Sequence, residues 1–150
     1  MAKNKITIPT PVCFTTQILA KEEDINYGGH VGNERFLLFA QETRMQFLKT
    51  LGCSELKFGS FGLILAEAHV EYMSELFLGE KIEIHLSITE PTRAAFECYY
   101  QIKTNRAGKT VAAANIRTNM VCFDYNERKV KSIPEGLKSE LAKLAKGNIS

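Results

Sequence analysis

One long helical segment, with strand-like runs on both sides of it, limits most sharply what this chain can fold into. Between Asn33 and Leu51, the residues Phe36, Ala40, Thr43, Phe47 and Leu51 recur at helical spacing, flanked by Leu37, Phe39 and Leu48. Leu38 and Met45 fall on the opposite side. Apolar residues on two faces predict a helix covered on both, which points to a subunit interface. Asn33 reads as the N-cap and Gly52 as the C-cap.

The remaining segments are mostly strands. Residues 12–20 are rich in β-branched and aromatic side chains. Residues 61–76 are apolar at first and then alternate, and Phe77-Leu78-Gly79-Glu80 reads as a tight turn after them. In residues 81–89, Ile82, Ile84, Leu86 and Ile88 share one face. Residues 94–104 and 110–125 form two more strands, joined by a hairpin loop at Asn105–Lys109. Pro134 and the stripe Leu137, Leu141 and Leu144 predict a short final helix. Tight connections between the later strands predict an antiparallel meander. The long helix must bury its stripe on that sheet. The expected class is α+β, with a curved antiparallel sheet around one central helix, a short C-terminal helix and a single domain over residues 1–150.

Composition removes several classes of function. The chain is 45% hydrophobic and 24% charged, as ordinary globular domains are. A net charge of +2 is too mild for nucleic acid as the main partner. The longest apolar run, residues 61–66, is too short to span a membrane. The opening residues MAKNKITIPTP show no apolar signal-peptide core. Cys13, Cys53, Cys98 and Cys122 have no CxxC spacing and read as free thiols in a reducing cytosol. No metal-ligand cluster is evident, so no metal or redox cofactor is expected.

The polar turn before the helix carries the chemistry. Asp24, Asn26, Gly28, Gly29 and His30 run straight into the helix start. A helix N-terminus presents unpaired N–H groups and partial positive charge. Two adjacent glycines let another molecule approach that backbone closely. A carbonyl oxygen or a phosphate suits such a place, with the N–H groups of Gly29 to Val31 as donors. Asp24 and Asn26 also suit Asx turns, and Glu34 in the first helical turn suits the helix dipole.

The element order together with Asp24-Ile25-Asn26-Tyr27-Gly28-Gly29-His30-Val31-Gly32-Asn33-Glu34-Arg35-Phe36 and Glu42-Thr43-Arg44-Met45-Gln46-Phe47 resembles the hotdog-fold acyl-CoA thioesterases, specifically the 4-hydroxybenzoyl-CoA thioesterase-like group. Val70-Glu71-Tyr72, Leu78 to Ile82, Val121 to Asp124 and Ile133-Pro134-Glu135 extend the resemblance over most of the chain. It implies hydrolysis of a thioester on CoA or an acyl-carrier protein, and a homo-oligomer with sites between subunits. CoA enters as part of the substrate. In much of this group an aspartate stands where this chain has Asn26, and an amide cannot act as base or nucleophile. Related hotdog enzymes with Asn or Gln there place the working carboxylate about four turns down the central helix, which lands on Gln41 and Glu42. The implied catalytic set is Asn26, Gly29, His30 and Glu42, with Glu34 as reserve acid. Asp24, Gly28, Val31, Glu34, Arg93 and Arg117 are the implied substrate-binding residues, and Lys103 and Arg106 are further candidates for the CoA phosphates.

Two other readings compete. A hotdog hydratase uses D-x-N-P-x-H, but here Tyr27 replaces the proline and the Asn–His gap is one residue longer. A non-catalytic acyl-CoA-binding module is the other, because Asn26 has lost the carboxylate.

Overall fold

Strand order departs from sequence order at one place, and that departure builds the site. The computed structural model describes residues 5–147; the first four residues of the stretch read for a signal peptide lie outside them. The elements are β1 (Phe14–Leu19), α1 (Asn33–Thr50), β2 (Gly62–Tyr72), β3 (Lys81–Ile88), β4 (Ala95–Arg106), β5 (Lys109–Asp124), β6 (Lys129–Val130) and α2 (Glu135–Lys146), with a 3-10 turn at Glu22–Asp24. They form one antiparallel sheet in the order β1-β3-β4-β5-β2, with β6 against the end of β5.

The expected meander therefore holds for β3, β4 and β5 but not for β2. β2 pairs with β5, from Gly62 opposite Phe123 to Tyr72 opposite Ala114. The expected tight turn at Phe77–Glu80 is there, with Glu80 N–H donating to the Phe77 carbonyl at 3.2 Å, but residues 73–80 do not join neighbouring strands. They form a strap that crosses from one edge of the sheet towards the other. Leu76 is fully buried beneath the strap and its carbonyl accepts from Val31 N–H at 2.8 Å. Gly79 N–H then donates to the Ala20 carbonyl at 2.9 Å, and Ala20 N–H to the Glu80 carbonyl at 3.0 Å, which delivers β3 beside β1. The strap closes the end of the sheet at which α1 begins. β4 and β5 are joined by a two-residue turn, Ala107-Gly108, both at positive φ (55° and 79°), as this hairpin type requires.

α1 fills the concavity. Phe36, Phe39, Ala40, Thr43, Phe47 and Leu48 are buried against the inward residues Ile82, Ile84 and Leu86 of β3, Tyr100 and Ile102 of β4, and Ala114 and Ile116 of β5. Its N-cap is Gly32 rather than Asn33, which is the first helical residue. Its C-terminus follows a Schellman pattern: Gly52 N–H donates to the Lys49 carbonyl and Cys53 N–H to that of Leu48, with Gly52 at φ +72°. Leu37, Leu38 and Met45 are exposed along its outer side. α2 buries Leu141 and half-buries Leu137 and Leu144. Cys98 and Cys122 are buried, Cys13 and Cys53 half-buried, and all four are free. Among the described residues no helix is long and apolar enough to cross a membrane.

Candidate active site

The loop before α1 is a small hairpin in its own right. Ile25 and Val31 pair as an isolated antiparallel bridge. Asn26 N–H donates to the His30 carbonyl at 2.9 Å, and Gly29 N–H returns to the Asn26 carbonyl at 3.1 Å. The Asn26 carboxamide oxygen accepts from Gly28 N–H at 2.8 Å, an Asx turn. Its NH2 group has no protein acceptor among the described residues and remains able to donate. Asp24 works inside the fold. It is buried, with Oδ2 accepting from Lys21 N–H at 2.9 Å and Oδ1 taking the Arg35 guanidinium at 2.8–2.9 Å. Those bonds hold the turn against the first turn of α1.

Which amides are free differs from the sequence expectation. Gly29 N–H is spent on Asn26 and Val31 N–H on Leu76. Gly32 N–H goes to the Asp24 carbonyl at 3.0 Å, and Arg35 N–H to the Gly32 carbonyl at 3.0 Å. No side chain caps the helix. Among the described residues the N–H groups of His30, Asn33 and Glu34 have no protein acceptor, so of the three amides expected as donors only that of His30 is free. Asn33 and Glu34, at the positive end of the dipole, add two donors that an oxyanion would find. The Glu34 carboxylate folds back over Gly32, where it meets the same positive end.

Beside them lies an open cleft of about 370 Å³, lined by His30, Val31, Asn33, Phe36, Tyr72 at the end of β2 and the strap residues Met73, Ser74 and Glu75. The Tyr72 hydroxyl donates to the Asn33 carbonyl at 2.9 Å, and its ring stands edge-on to Phe36 at 5.3 Å. Burial, with the charge of Glu34, pushes the Tyr72 phenol up, so it keeps its proton. His30 places Nδ1 3.1 Å from the Val31 carbonyl oxygen and Nε2 3.8 Å from Glu75 Oε1. His30 and Asn26 converge over Gly28. A Cβ there would lie 3.2 Å from His30 Nε2 and 3.3 Å from Asn26 Oδ1. Gly28→Ala is therefore expected to leave the melting temperature nearly unchanged while lowering turnover roughly 10- to 100-fold, because the added methyl displaces both side chains by tenths of an ångström. Paired melting and rate measurements check this.

The other expected residues lie elsewhere. Glu42 lines a separate hollow of about 320 Å³ with Asp24, Arg35, Leu38, Gln41 and Met45 against Ile18 and Leu19 of β1. No residue lines both hollows. Nine residues at roughly 100° each turn Glu42 about half a circle away from Asn33, and roughly 13 Å along the helix. Its carboxylate accepts from Gln46 Nε2 at 3.1 Å. Arg93 sits in the β3–β4 connection, at the opposite end of the sheet from Asn26, and donates to Ser132 Oγ. Arg117 lies on the outer face of β5, held by Glu97 at 2.9 Å and Glu67 at 2.7 Å. Arg106 is forked on Glu80, and Lys103 lines a surface hollow with Glu83. In one chain neither Arg93 nor Arg117 reaches the cleft. Sequence reasoning missed Tyr72, Ser74 and Glu75, because their segment read as a strand ending in a hairpin. Among the described residues no three His, Cys, Asp or Glu side chains gather as metal ligands would.

A curved antiparallel sheet around a central helix, with the helix start opening into a cleft, is the hotdog architecture. The Thioesterase-like superfamily profile matches residues 21–141, and the chain belongs to that family. Hydrolysis of a thioester, an enzymatic activity, is the chemistry of that class. A 1,4-dihydroxy-2-naphthoyl-CoA hydrolase from Synechocystis is 25% identical over 134 residues, covering 87% of this chain and 96% of that protein. The solved structure of a 1,4-dihydroxy-2-naphthoyl-CoA thioesterase from Synechocystis superposes with a TM-score of 0.77 at 24% identity, over 87% of this chain and 96% of the other. A Staphylococcus aureus protein solved in complex with CoA gives a TM-score of 0.81 at 18% identity, over 97% and 91%.

Proposed function

We propose that this chain hydrolyses an acyl-CoA thioester at the cleft where α1 begins. The single observation that carries the proposal is the run of unpartnered N–H groups where α1 begins, those of His30, Asn33 and Glu34, of which His30 and Asn33 line the hollow. A thioester carbonyl placed there gains most as negative charge builds on its oxygen. Water adds to the carbonyl carbon, the C–S bond breaks, and free acid and CoA thiol leave. The Asn26 NH2 group, which has no protein acceptor among the described residues, would hold the carbonyl or the water. CoA as the carrier is supported by the names of the Synechocystis relative and of the S. aureus neighbour. A second copy completing the cleft fits two features, the outer edge of β2, unpaired among the described residues, and the exposed Leu37, Leu38 and Met45 of α1. Glu42 would enter this cleft only from such a copy.

The test is thiol release over a panel of acetyl-, hexanoyl-, palmitoyl- and benzoyl-CoA, with the wild type, Asn26→Ala and Glu42→Gln. At least one ester is expected to turn over. Asn26→Ala is expected to cost about 10-fold or more, as removal of one donor to developing charge does. Glu42→Gln is expected to stay within about threefold, as ordinary surface substitutions do. A loss near 100-fold in Glu42→Gln would instead make that carboxylate the working acid, supplied by a partner subunit. Tight acyl-CoA binding without thiol release would make the chain a binding module, a reading that the closed Asx turn at Asn26 favours.

A further inference from the structure

With no carboxylate at position 26, hydrolysis at the cleft needs another proton acceptor; the loop before α1 offers His30, and the strap brings Glu75 beside it. Apart from the neutral Tyr72 phenol, the ionisable side chains lining the cleft among the described residues are His30 and Glu75. The Val31 carbonyl can only accept, so the 3.1 Å contact makes His30 Nδ1 its donor, and in the tautomer protonated only there the Nε2 lone pair faces outward. That carbonyl is on a fixed piece of chain, tied to Ile25 through the isolated bridge and to Leu76 through its own N–H. Nε2 points to the space above Gly28, where Asn26 also arrives. Glu75 Oε1 lies 3.8 Å away, too long for a hydrogen bond but within ion-pair reach. Among the described residues the Glu75 carboxylate has no other cationic partner, and Arg106 Nη2 donates instead to the Glu75 backbone carbonyl at 3.0 Å.

Resting on the thioester-hydrolase reading, we infer that His30 Nε2 takes the proton from the attacking water and that Glu75 is a positioning residue that steadies the imidazolium so formed. The water oxygen forms the new C–O bond as its proton passes to Nε2. The C–S electron pair then leaves with sulfur, and the imidazolium returns the proton to the departing thiolate. No oxidant, reductant or metal is needed to balance the step. Glu75 is 62% exposed, so the pair is weak while the cleft is wet. It strengthens when an acyl group displaces the water, because the local dielectric falls. Glu75 is thus expected to act on turnover more than on substrate binding.

The experiment is a double-mutant cycle of Glu75→Gln and His30→Gln, with kcat and KM measured on whichever ester of the panel the wild type cleaves fastest. Glu75→Gln is expected to lower kcat about tenfold, equivalent to about 1.4 kcal/mol, with KM within twofold. Glu75→Asp is expected to restore part of the loss. In the His30→Gln background the Glu75 change is expected to have no further effect, because the two residues act as one unit. A purely structural Glu75 would lower the melting temperature and give additive effects. Wild-type kcat in Glu75→Gln, or full additivity, overturns this inference while leaving the hydrolase reading intact. No turnover by the wild type overturns the hydrolase reading itself. Nitrogen-15 shifts of the His30 ring give an independent check, and a neutral ring protonated at Nε2 instead of Nδ1 would also overturn the inference.

Discussion

His30→Gln is expected to lower kcat/KM for acyl-CoA hydrolysis by about 10²- to 10⁴-fold, the range for loss of a positioned acid–base group. Glutamine keeps a polar side chain of similar reach but takes no proton at neutral pH. The fold has little stake in the imidazole. Its one hydrogen-bond contact is to the neighbouring Val31 carbonyl, and its ring is part-exposed. The melting temperature should therefore hold within a few degrees. What is lost is the only imidazole that lines the cleft with Asn33 among the described residues. The residual rate should come from the free amides where α1 begins, which polarise the carbonyl without a base. Steady-state thiol release checks the size of the loss, and the variant's binding of the unreacted ester checks that KM is not its source. A loss below tenfold would place proton transfer elsewhere and send attention to Glu42 from a second copy.

Much of this fold could be read from residue order, and the reasons are local. The spacing of Phe36, Ala40, Thr43 and Phe47 fixes the buried side of α1, and the alternation of Ile82, Ile84 and Leu86 fixes that of β3. Both patterns repeat within one element, so no distant contact is needed to see them. The strap could not be read that way. Phe77-Leu78-Gly79-Glu80 has the composition of a hairpin turn, and only the pairing of β2 with β5 shows that it is a crossing. That misreading hid Glu75, whose meeting with His30 depends on the crossing. The candidate site divides along the same line. The glycine loop and His30 announced themselves through the residues of one short segment. Glu42 rests on distance along the helix, and only the position of the cleft beside Asn33 shows that Glu42 lies on another side of α1. Arg93 and Arg117 were chosen for charge alone, which carries no position.

Arg44→Met is expected to lower stability by about 3 kcal/mol, the low end of the cost of breaking a buried ion pair. At about 2–4 °C per kcal/mol for a chain of this size, the melting temperature should fall by about 6–12 °C. Arg44 is 4% exposed on the inner side of α1, where a helical stripe would ordinarily place an aliphatic residue. Its Nε donates to Glu55 and its Nη1 to the Tyr100 hydroxyl at 2.8 Å. Tyr100 in turn lies 2.9 Å from Thr118 Oγ1. Burial pushes the Tyr100 phenol far up, so it stays neutral, accepts from Arg44 and has its own proton left for Thr118. Burial alone would weaken the charge on Arg44, but Tyr100 and Glu55 outweigh it and hold the guanidinium protonated. Removing Arg44 leaves Glu55 unpaired and Tyr100 short of a donor. The low end of the range applies because Glu55 is about a quarter exposed and water reaches it. Adding Tyr100→Phe and Glu55→Leu to Arg44→Met should recover part of the loss, since apolar replacement of a buried ion pair is often neutral or better, while Thr118 Oγ1 loses the Tyr100 hydroxyl. Thermal melts of the single and triple variants decide the matter. A triple variant as unstable as the single one would mean that Arg44 supports the core through packing of its stem, not through its charge.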